Sequence, residues 1–115
     1  MLALATEGGV VAFLLFHARR SVLMRLALEL TGASFVDYGS AKGRLLLVAS
    51  HFPFREVIGV EFSRELPEIA ERNIAIYRDP EQRCRNIRSV CIDAREFRLP
   101  GTSLVCYFCN SFDDE

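Results

Sequence analysis

Four short apolar runs constrain the fold of this chain more than any other feature. They span residues 35–38, 56–61, 87–92 and 104–108, and each ends beside a polar or charged side chain. Segments with helical character separate the first three. Alternation of short strands and helices predicts an α/β fold with a mostly parallel sheet. Because the runs are apolar throughout, we expect helices on both faces of the sheet, in three layers.

The segments between these runs carry helix start and stop signals. Residues 42–52 have a strongly apolar face and end before Pro53, which cannot continue a helix. Ser63 is a favourable N-cap for a second helix running towards Tyr77. Glu65 and Glu68 lie near its start, where negative charge is stabilising.

The N-terminal part predicts a further helix. Apolar residues recur at helical spacing over residues 10–30, and Gly32 is a plausible helix stop. We therefore divide the chain into an N-terminal helical segment, 1–32, and a domain, 33–115. The apolar run 10–16 is far shorter than the roughly 20 residues of a membrane span. Its positive charges follow rather than precede it, unlike a signal peptide, so no membrane association is predicted.

Charge and cysteine usage exclude several classes of function. The net charge is −1, with 14 basic and 15 acidic residues, so nucleic acid is an unlikely partner. Cys106 and Cys109 lie in an apolar strand-like run, where positions three apart face opposite sides. No histidine lies near them, so we predict no metal site. Reduced thiols indicate a cytoplasmic location.

Polar residues after each predicted strand are the candidates for chemistry, because ligands of parallel sheets bind at the carboxyl ends of the strands. The loop after Asp37 has the pattern acid-x-Gly-x-x-x-Gly, which is neither a dinucleotide fingerprint nor a P-loop. Alone, it fits a cofactor-binding loop or a tight turn. Glu61 could accept hydrogen bonds from two ribose hydroxyls or cap the next helix. Asp93 could accept one from an adenine amino group.

Taken together, four segments resemble the ordered motifs of class I S-adenosylmethionine-dependent methyltransferases. They are VDYGSAKGR, VIGVEFS, VCIDAREF and LVCYFCNSF, and the similarity spans residues 34–112. The bacterial group with D-x-G-S-G-K-G-R is the most similar. The resemblance implies a Rossmann-like domain that binds S-adenosylmethionine and transfers its methyl group by in-line attack, without a covalent enzyme intermediate. The methyl acceptor is not indicated.

The resemblance also implies a role for each matching residue. The methionine part of the cofactor would lie against the first loop, ribose and adenine against the ends of the second and third strands, and the transferred methyl group beside the end of the fourth. In that order the residues are Asp37, Gly39, Ser40, Ala41 and Gly43; Glu61 and Phe62; Asp93 and Ala94; and Asn110 as the catalytic-site residue.

The chain departs from the family in ways that keep other interpretations open. Ala41 stands where the family has a central glycine, and Ser111 where it often has proline. The chain ends after the fourth strand, whereas in the full domain that strand lies inside the sheet. We therefore expect a truncated domain whose exposed strand 104–108 could pair in a homodimer. Enzymatic activity would require completion of the domain. The alternatives are an inactive nucleotide-binding or dimerising module and a nicotinamide-dependent oxidoreductase fragment, which the loop spacing disfavours.

Overall fold

The computed structural model describes residues 2–6, 9–14 and 20–108, which form one six-stranded sheet and three helices. The strands are β1 (Leu2–Thr6), β2 (Gly9–Leu14), β3 (Ser34–Tyr38), β4 (Glu56–Glu61), β5 (Ile87–Cys91) and β6 (Leu104–Tyr107). The helices are α1 (Arg20–Glu29), α2 (Arg44–Ala49) and α3 (Glu65–Ile76).

The strand order is β1-β2-β6-β3-β4-β5. Neighbouring strands are parallel from β2 to β5, and β1 alone runs antiparallel to its neighbour. This confirms the predicted α/β, Rossmann-like architecture with a mostly parallel sheet. Asp37 lies opposite Gly59 of β4 on one side and Tyr107 of β6 on the other, so its backbone is at the centre of the sheet.

The N-terminal helix is confirmed only from Arg20 to Glu29. The expectation that it begins near Val10 is wrong, because Gly9–Leu14 is a strand. Short apolar runs do not distinguish the two states by spacing, and this one contains two valines and a phenylalanine, which favour strands. Gly32 follows the helix with φ +79°, a left-handed conformation that suits glycine and agrees with the predicted stop.

The fourth predicted strand, β6, is not an edge of the sheet. β2 pairs with it in parallel register, from Val11 opposite Leu104 to Leu14 opposite Tyr107. The prediction of an exposed apolar edge at residues 104–108 is therefore wrong, and a homodimer through that edge loses its basis. The physical reason is that the misassigned strand β2 supplies the backbone partner that β6 would otherwise lack.

Alternate residues of the central strands enter two separate hydrophobic clusters. Phe35, Val57 and Val105 pack with apolar residues of α1 and α2 on one face. Val36, Ile58 and Cys106 form a second cluster on the other face, where Ile92, Phe97 and Phe108 pack among the described residues. Within the described part of the chain, no helix has the length and apolar character needed to cross a membrane.

The helix boundaries differ slightly from prediction. The helix predicted over residues 42–52 is regular only over Arg44–Ala49, and His51 and Phe52 continue it with tighter bonds to carbonyls three residues back. Ser63 is not the N-cap of α3: Arg64 occupies that position without a side-chain cap. The backbone N–H of Ser63 instead donates to the Glu61 carboxylate, at 3.1 Å.

Gly59 of β4 is the point where the sheet and the loop after β3 come closest. A Cβ atom at this position would lie 2.5 Å from Ser40 Oγ and 2.8 Å from Leu46 Cδ1. Neither distance is compatible with normal packing, so glycine is required for the loop and α2 to lie on β4.

We predict that Gly59→Ala lowers the free energy of unfolding by about 1–3 kcal/mol, the range for inserting a methyl group into a packed interior. Urea denaturation measures the effect. Gly101→Ala is the matched control, because a Cβ there meets nothing within 4 Å. Equal stability of the two variants would contradict the close approach.

Candidate functional site

The carboxyl ends of β3 and β6 lie side by side at the centre of the sheet, where the strand order reverses. β4 and β5 follow β3 towards one edge, whereas β6 returns to the other side of β3. Such a reversal of strand order is the place where ligands bind in open parallel sheets. The loop 39–43 begins there, and the ends of β4 and β5 lie on the same edge of the sheet.

Three residues of this loop have left-handed backbone conformations: Gly39 with φ +83°, Ala41 with φ +52° and Gly43 with φ +88°. The N–H groups of Gly39 and Ser40 donate to the Val60 carbonyl, at 2.8 and 3.3 Å. These bonds fold the loop back onto β4. The Ser40 hydroxyl is buried beside Gly59 and has no hydrogen-bond partner among the described residues.

Gly43 has a clear structural role. It is the N-cap of α2, and a Cβ atom there would lie 3.1 Å from the Cβ of Ala70 in α3. Both its φ angle and this close approach favour glycine. This part of the pattern is therefore accounted for as a tight turn, independently of any ligand.

Ala41 has a positive φ. The family that the chain resembles has a glycine at this position, which adopts such a φ without strain. A non-glycine residue in this region is destabilised by about 1–2 kcal/mol relative to right-handed backbone. Its N–H donates to Glu61 Oε1 at 2.8 Å, which helps to hold the strained conformation.

Glu61 connects the loop to the end of β4. Its Oε1 accepts from the Ala41 N–H, and its Oε2 accepts from the Ser63 N–H at 3.1 Å. The sequence indicates two possible roles for Glu61, as a ribose acceptor or as a structural residue near the start of α3. These two hydrogen bonds show that Glu61 has a structural role at least in part. A carboxylate has roughly four acceptor positions, so Glu61 retains capacity for two hydroxyl donors.

Asp37 is the most unusual group of the site. Only 4% of its surface is exposed, and no hydrogen bond joins its carboxyl group to another described residue. Burial, followed by the negative charge of Glu61, raises the pKa of Asp37 to about 8. Burying a charged carboxylate is costly, so this group is protonated at neutral pH and would have to release that proton to bind a cation.

The end of β5 differs from expectation. Asp93 does accept hydrogen bonds, but from the backbone and side chain of Arg95, at 2.8–3.0 Å. The side-chain hydrogen bond from Arg95 is the main cause that lowers the pKa of Asp93 to about 2. Ala94 is exposed beside it. An adenine amino group would therefore compete with Arg95 for this carboxylate.

Phe62 is 74% exposed immediately after Glu61, so its ring is free to stack on a planar ligand. Asn110, predicted to border the transferred methyl group, lies outside the described residues, as do Cys109 and Ser111. The other predicted site residues all lie at the carboxyl edge of the sheet.

An aromatic cluster at the same edge of the sheet was not predicted. The rings of Tyr38 and Phe108 stack with centroids 4.7 Å apart and planes 3° apart, and Phe97 packs edge-on to Tyr38 at 6.4 Å. Tyr38 ends β3 and Phe108 directly follows β6, so the two residues continue the register in which these neighbouring strands pair. In the sequence, the position of both aromatic residues at the ends of predicted strands is the feature that could have indicated this cluster.

Comparison with protein-family models, curated proteins and solved structures finds no match to this chain. The methyltransferase resemblance therefore stays a prediction carried by the residues themselves.

The first prediction for this site concerns Ala41. Ala41→Gly should raise the free energy of unfolding by about 1 kcal/mol, because glycine adopts φ +52° without steric cost. Ala94→Gly is the matched control in an exposed turn without positive φ, and it should lower stability by about 0.4–1 kcal/mol. Thermal unfolding of both variants checks the sign; destabilisation by both would contradict the strain.

The free energy of unfolding should depend on pH through Asp37. Because the pKa of Asp37 is raised from 3.8 to about 8, the folded state holds a proton that the unfolded state releases between these values. Stability should therefore fall as pH rises through this window, by at most about 1.4 kcal/mol per pH unit. Asp37→Asn should flatten that decline and be more stable than the parent at pH 8.

Denaturation curves at pH 5, 6.5 and 8 measure the slope. Asp93→Asn is the control, since lowering the pKa of Asp93 to about 2 places its titration below this window. An unchanged slope in Asp37→Asn would show that the Asp37 carboxyl is not the titrating group.

Proposed function

We propose that this chain binds S-adenosylmethionine and provides the cofactor-binding part of a methyltransferase. The observation that carries the proposal is the pair of carboxyl groups at the strand-order reversal: the buried Asp37, to which no described residue donates a hydrogen bond, and the partly satisfied Glu61. They lie close enough for the charge of Glu61 to raise the pKa of Asp37. Such a pair favours a ligand with positive charge and neighbouring hydroxyl groups.

Each part of the cofactor has a matching group among the described residues. The α-ammonium of the methionine part supplies the donor that the Asp37 carboxyl lacks. The ribose hydroxyls can donate to the remaining lone pairs of Glu61, and the adenine ring can stack on the exposed Phe62. Asp93 is available to adenine only if Arg95 gives way.

The same charges disfavour a nicotinamide dinucleotide. Its pyrophosphate is anionic, and anions bind where backbone N–H groups point outwards without nearby carboxylates. Here the Ala41 N–H is already bound to Glu61, and Asp37 lies behind the loop. The oxidoreductase alternative is therefore weaker on charge as well as on loop spacing.

Bound S-adenosylmethionine supplies a methyl group activated by its sulfonium. The role of the protein is to position the two reactants and exclude water, not to form a covalent bond with either. Asp37 and Glu61 orient the cofactor from two sides. The aromatic rings of Tyr38, Phe97 and Phe108 pack together on the other face of β3.

Two observations favour the second candidate, an inactive nucleotide-binding or dimerising module. The strained Ala41 replaces a glycine at the point where the cofactor approaches, and Arg95 occupies the adenine-side carboxylate of Asp93. Both would lower affinity without preventing folding. Binding and activity therefore need separate tests.

Calorimetric titration with S-adenosylhomocysteine at pH 8 tests binding. We expect saturable binding at one site, weakened at least about tenfold by Glu61→Gln, which corresponds to about 1.4 kcal/mol. Glu65→Gln, an exposed acid in the first turn of α3, is the matched control and should bind like the parent. Binding should weaken at pH 6.5, where Asp37 is more protonated.

The absence of heat from a folded sample would contradict the proposal. If light scattering then showed a stable dimer, the interaction-module alternative would be supported. Binding of a nicotinamide dinucleotide in place of S-adenosylhomocysteine would support the oxidoreductase alternative.

A further inference from the structure

A second group of chemically active side chains lies away from the carboxyl edge of the sheet. His51 follows α2, and Asp79 and Glu81 follow α3. One potential ligand atom from each of these three residues lies within 4.8 Å of the other two, and His51 Nε2 is 3.8 Å from Asp79 Oδ2. His51 lies between the end of α2 and the start of β4, so this group lies near the amino ends of the strands.

The two segments that carry these side chains are fixed to each other. The N–H groups of Arg83 and Cys84 both donate to the Ser50 carbonyl, at 2.8 Å, and Gln82 Nε2 donates to Ser50 Oγ at 3.2 Å. Ser50 immediately precedes His51. These hydrogen bonds therefore hold together the two segments that carry the three side chains.

The two carboxylates have no cationic partner other than His51 among the described residues. No lysine or arginine there forms an ion pair with Asp79 or Glu81. Asp79 Oδ1 accepts from the Glu81 N–H at 2.8 Å, which leaves Oδ2 directed towards His51. His51 and Glu81 also line a cleft of about 440 Å³, so solvent and ions can reach them.

We propose that His51, Asp79 and Glu81 bind a divalent transition-metal ion, with Zn²⁺ as the best match. One imidazole and two carboxylates are ordinary zinc ligands, whereas Mg²⁺ prefers oxygen ligands and retained water. Zn–N and Zn–O bonds of about 2.0 Å place ligand atoms about 3.3 Å apart in a tetrahedron. The observed spacing reaches up to 4.8 Å, so metal binding requires rotation of these side chains.

The three protein ligands leave one coordination position for water, as in zinc sites that act on substrates. The site is separate from the proposed cofactor site, so neither proposal depends on the other. The sequence indicates no metal site at its cysteines, and its local patterns carry no information on this second group. His51 lies far from Asp79 and Glu81 in sequence, and only the packing of α2 against the loop after α3 brings them together.

Tyr77 provides a direct readout. Its hydroxyl is 2.6 Å from His51 Nε2, the atom nearest to Asp79. A metal ion on Nε2 must replace that hydrogen bond and change the surroundings of the phenol ring. The chain contains no tryptophan and three tyrosines, so intrinsic fluorescence reports on tyrosine alone.

The test is calorimetric titration with ZnCl₂, with tyrosine fluorescence recorded in parallel. The full chain carries Cys91→Ser and Cys109→Ser to remove competing thiols, Cys91 being exposed. We expect one ion per chain and a change in tyrosine emission. His51→Gln and Glu81→Gln should each weaken binding at least tenfold. Glu68→Gln, an exposed acid of α3, is the matched control and should leave affinity unchanged.

Two further measurements separate a built site from surface association. Tyr77→Phe should keep the affinity for Zn²⁺ but lose most of the change in emission. MgCl₂ at the same concentrations should give no saturable heat. If His51→Gln and Glu81→Gln bind Zn²⁺ like the parent, the bound metal is an adventitious ion only. That outcome, or no binding by folded protein, overturns the proposal.

Discussion

The close contact between the loop after β3 and strand β4 is the constraint on which the rest of the candidate site depends. It exists because Gly59 has no side chain, which leaves room for Ser40 and Leu46 directly on the sheet. With the loop in this position, the Ala41 N–H reaches Glu61 and the backbone of β3 ends beneath the loop. The burial of Asp37 follows from this packing, and so does its raised pKa.

This arrangement is unfavourable for the protein alone. It combines a buried carboxyl group without a partner, a second carboxylate close enough to perturb it, and a left-handed alanine. Each lowers stability; the hydrogen bond from the Ala41 N–H to Glu61 offsets part of this cost, whereas no described residue donates a hydrogen bond to the Asp37 carboxyl group. Strain and unsatisfied polar groups of this kind concentrate at functional sites, where a ligand supplies the missing interactions. The interpretation as a binding site rests on the occurrence of these three unfavourable features in one place.

Much of the sheet could be predicted from sequence because its evidence is local. The apolar runs that become β3, β4, β5 and β6 are short and end beside polar residues, and each forms a strand as expected, although β6 lies inside the sheet and not at its edge. The positive φ of Ala41 agrees with the glycine that the methyltransferase resemblance implies at this position. The same local evidence misassigned Gly9–Leu14, whose strand conformation depends on pairing with β6, distant in sequence.

Other features of the two proposed sites could not be predicted from sequence. They depend on which of several possible groups in the folded chain forms a contact with a given side chain. Asp93 was a candidate adenine acceptor, but its neighbour Arg95 satisfies it first. Glu61 was weighed as a ribose acceptor or a structural residue, and its two oxygens already hold backbone N–H groups. His51 had no predicted role, since Asp79 and Glu81 approach it only in the folded chain.

The position of β6 between β2 and β3 has a consequence for folding during synthesis. β2 and β3 are both made early, yet neither is bonded to the other, because β6 separates them in the sheet. Until Leu104–Tyr107 leaves the ribosome, the first hairpin and the β3–β4–β5 unit have no hydrogen bonds across this gap. Pairings between such distant segments form slowly. The nascent chain therefore exposes two unpaired strand edges until then, a state in which chaperone binding or misassociation can compete with folding.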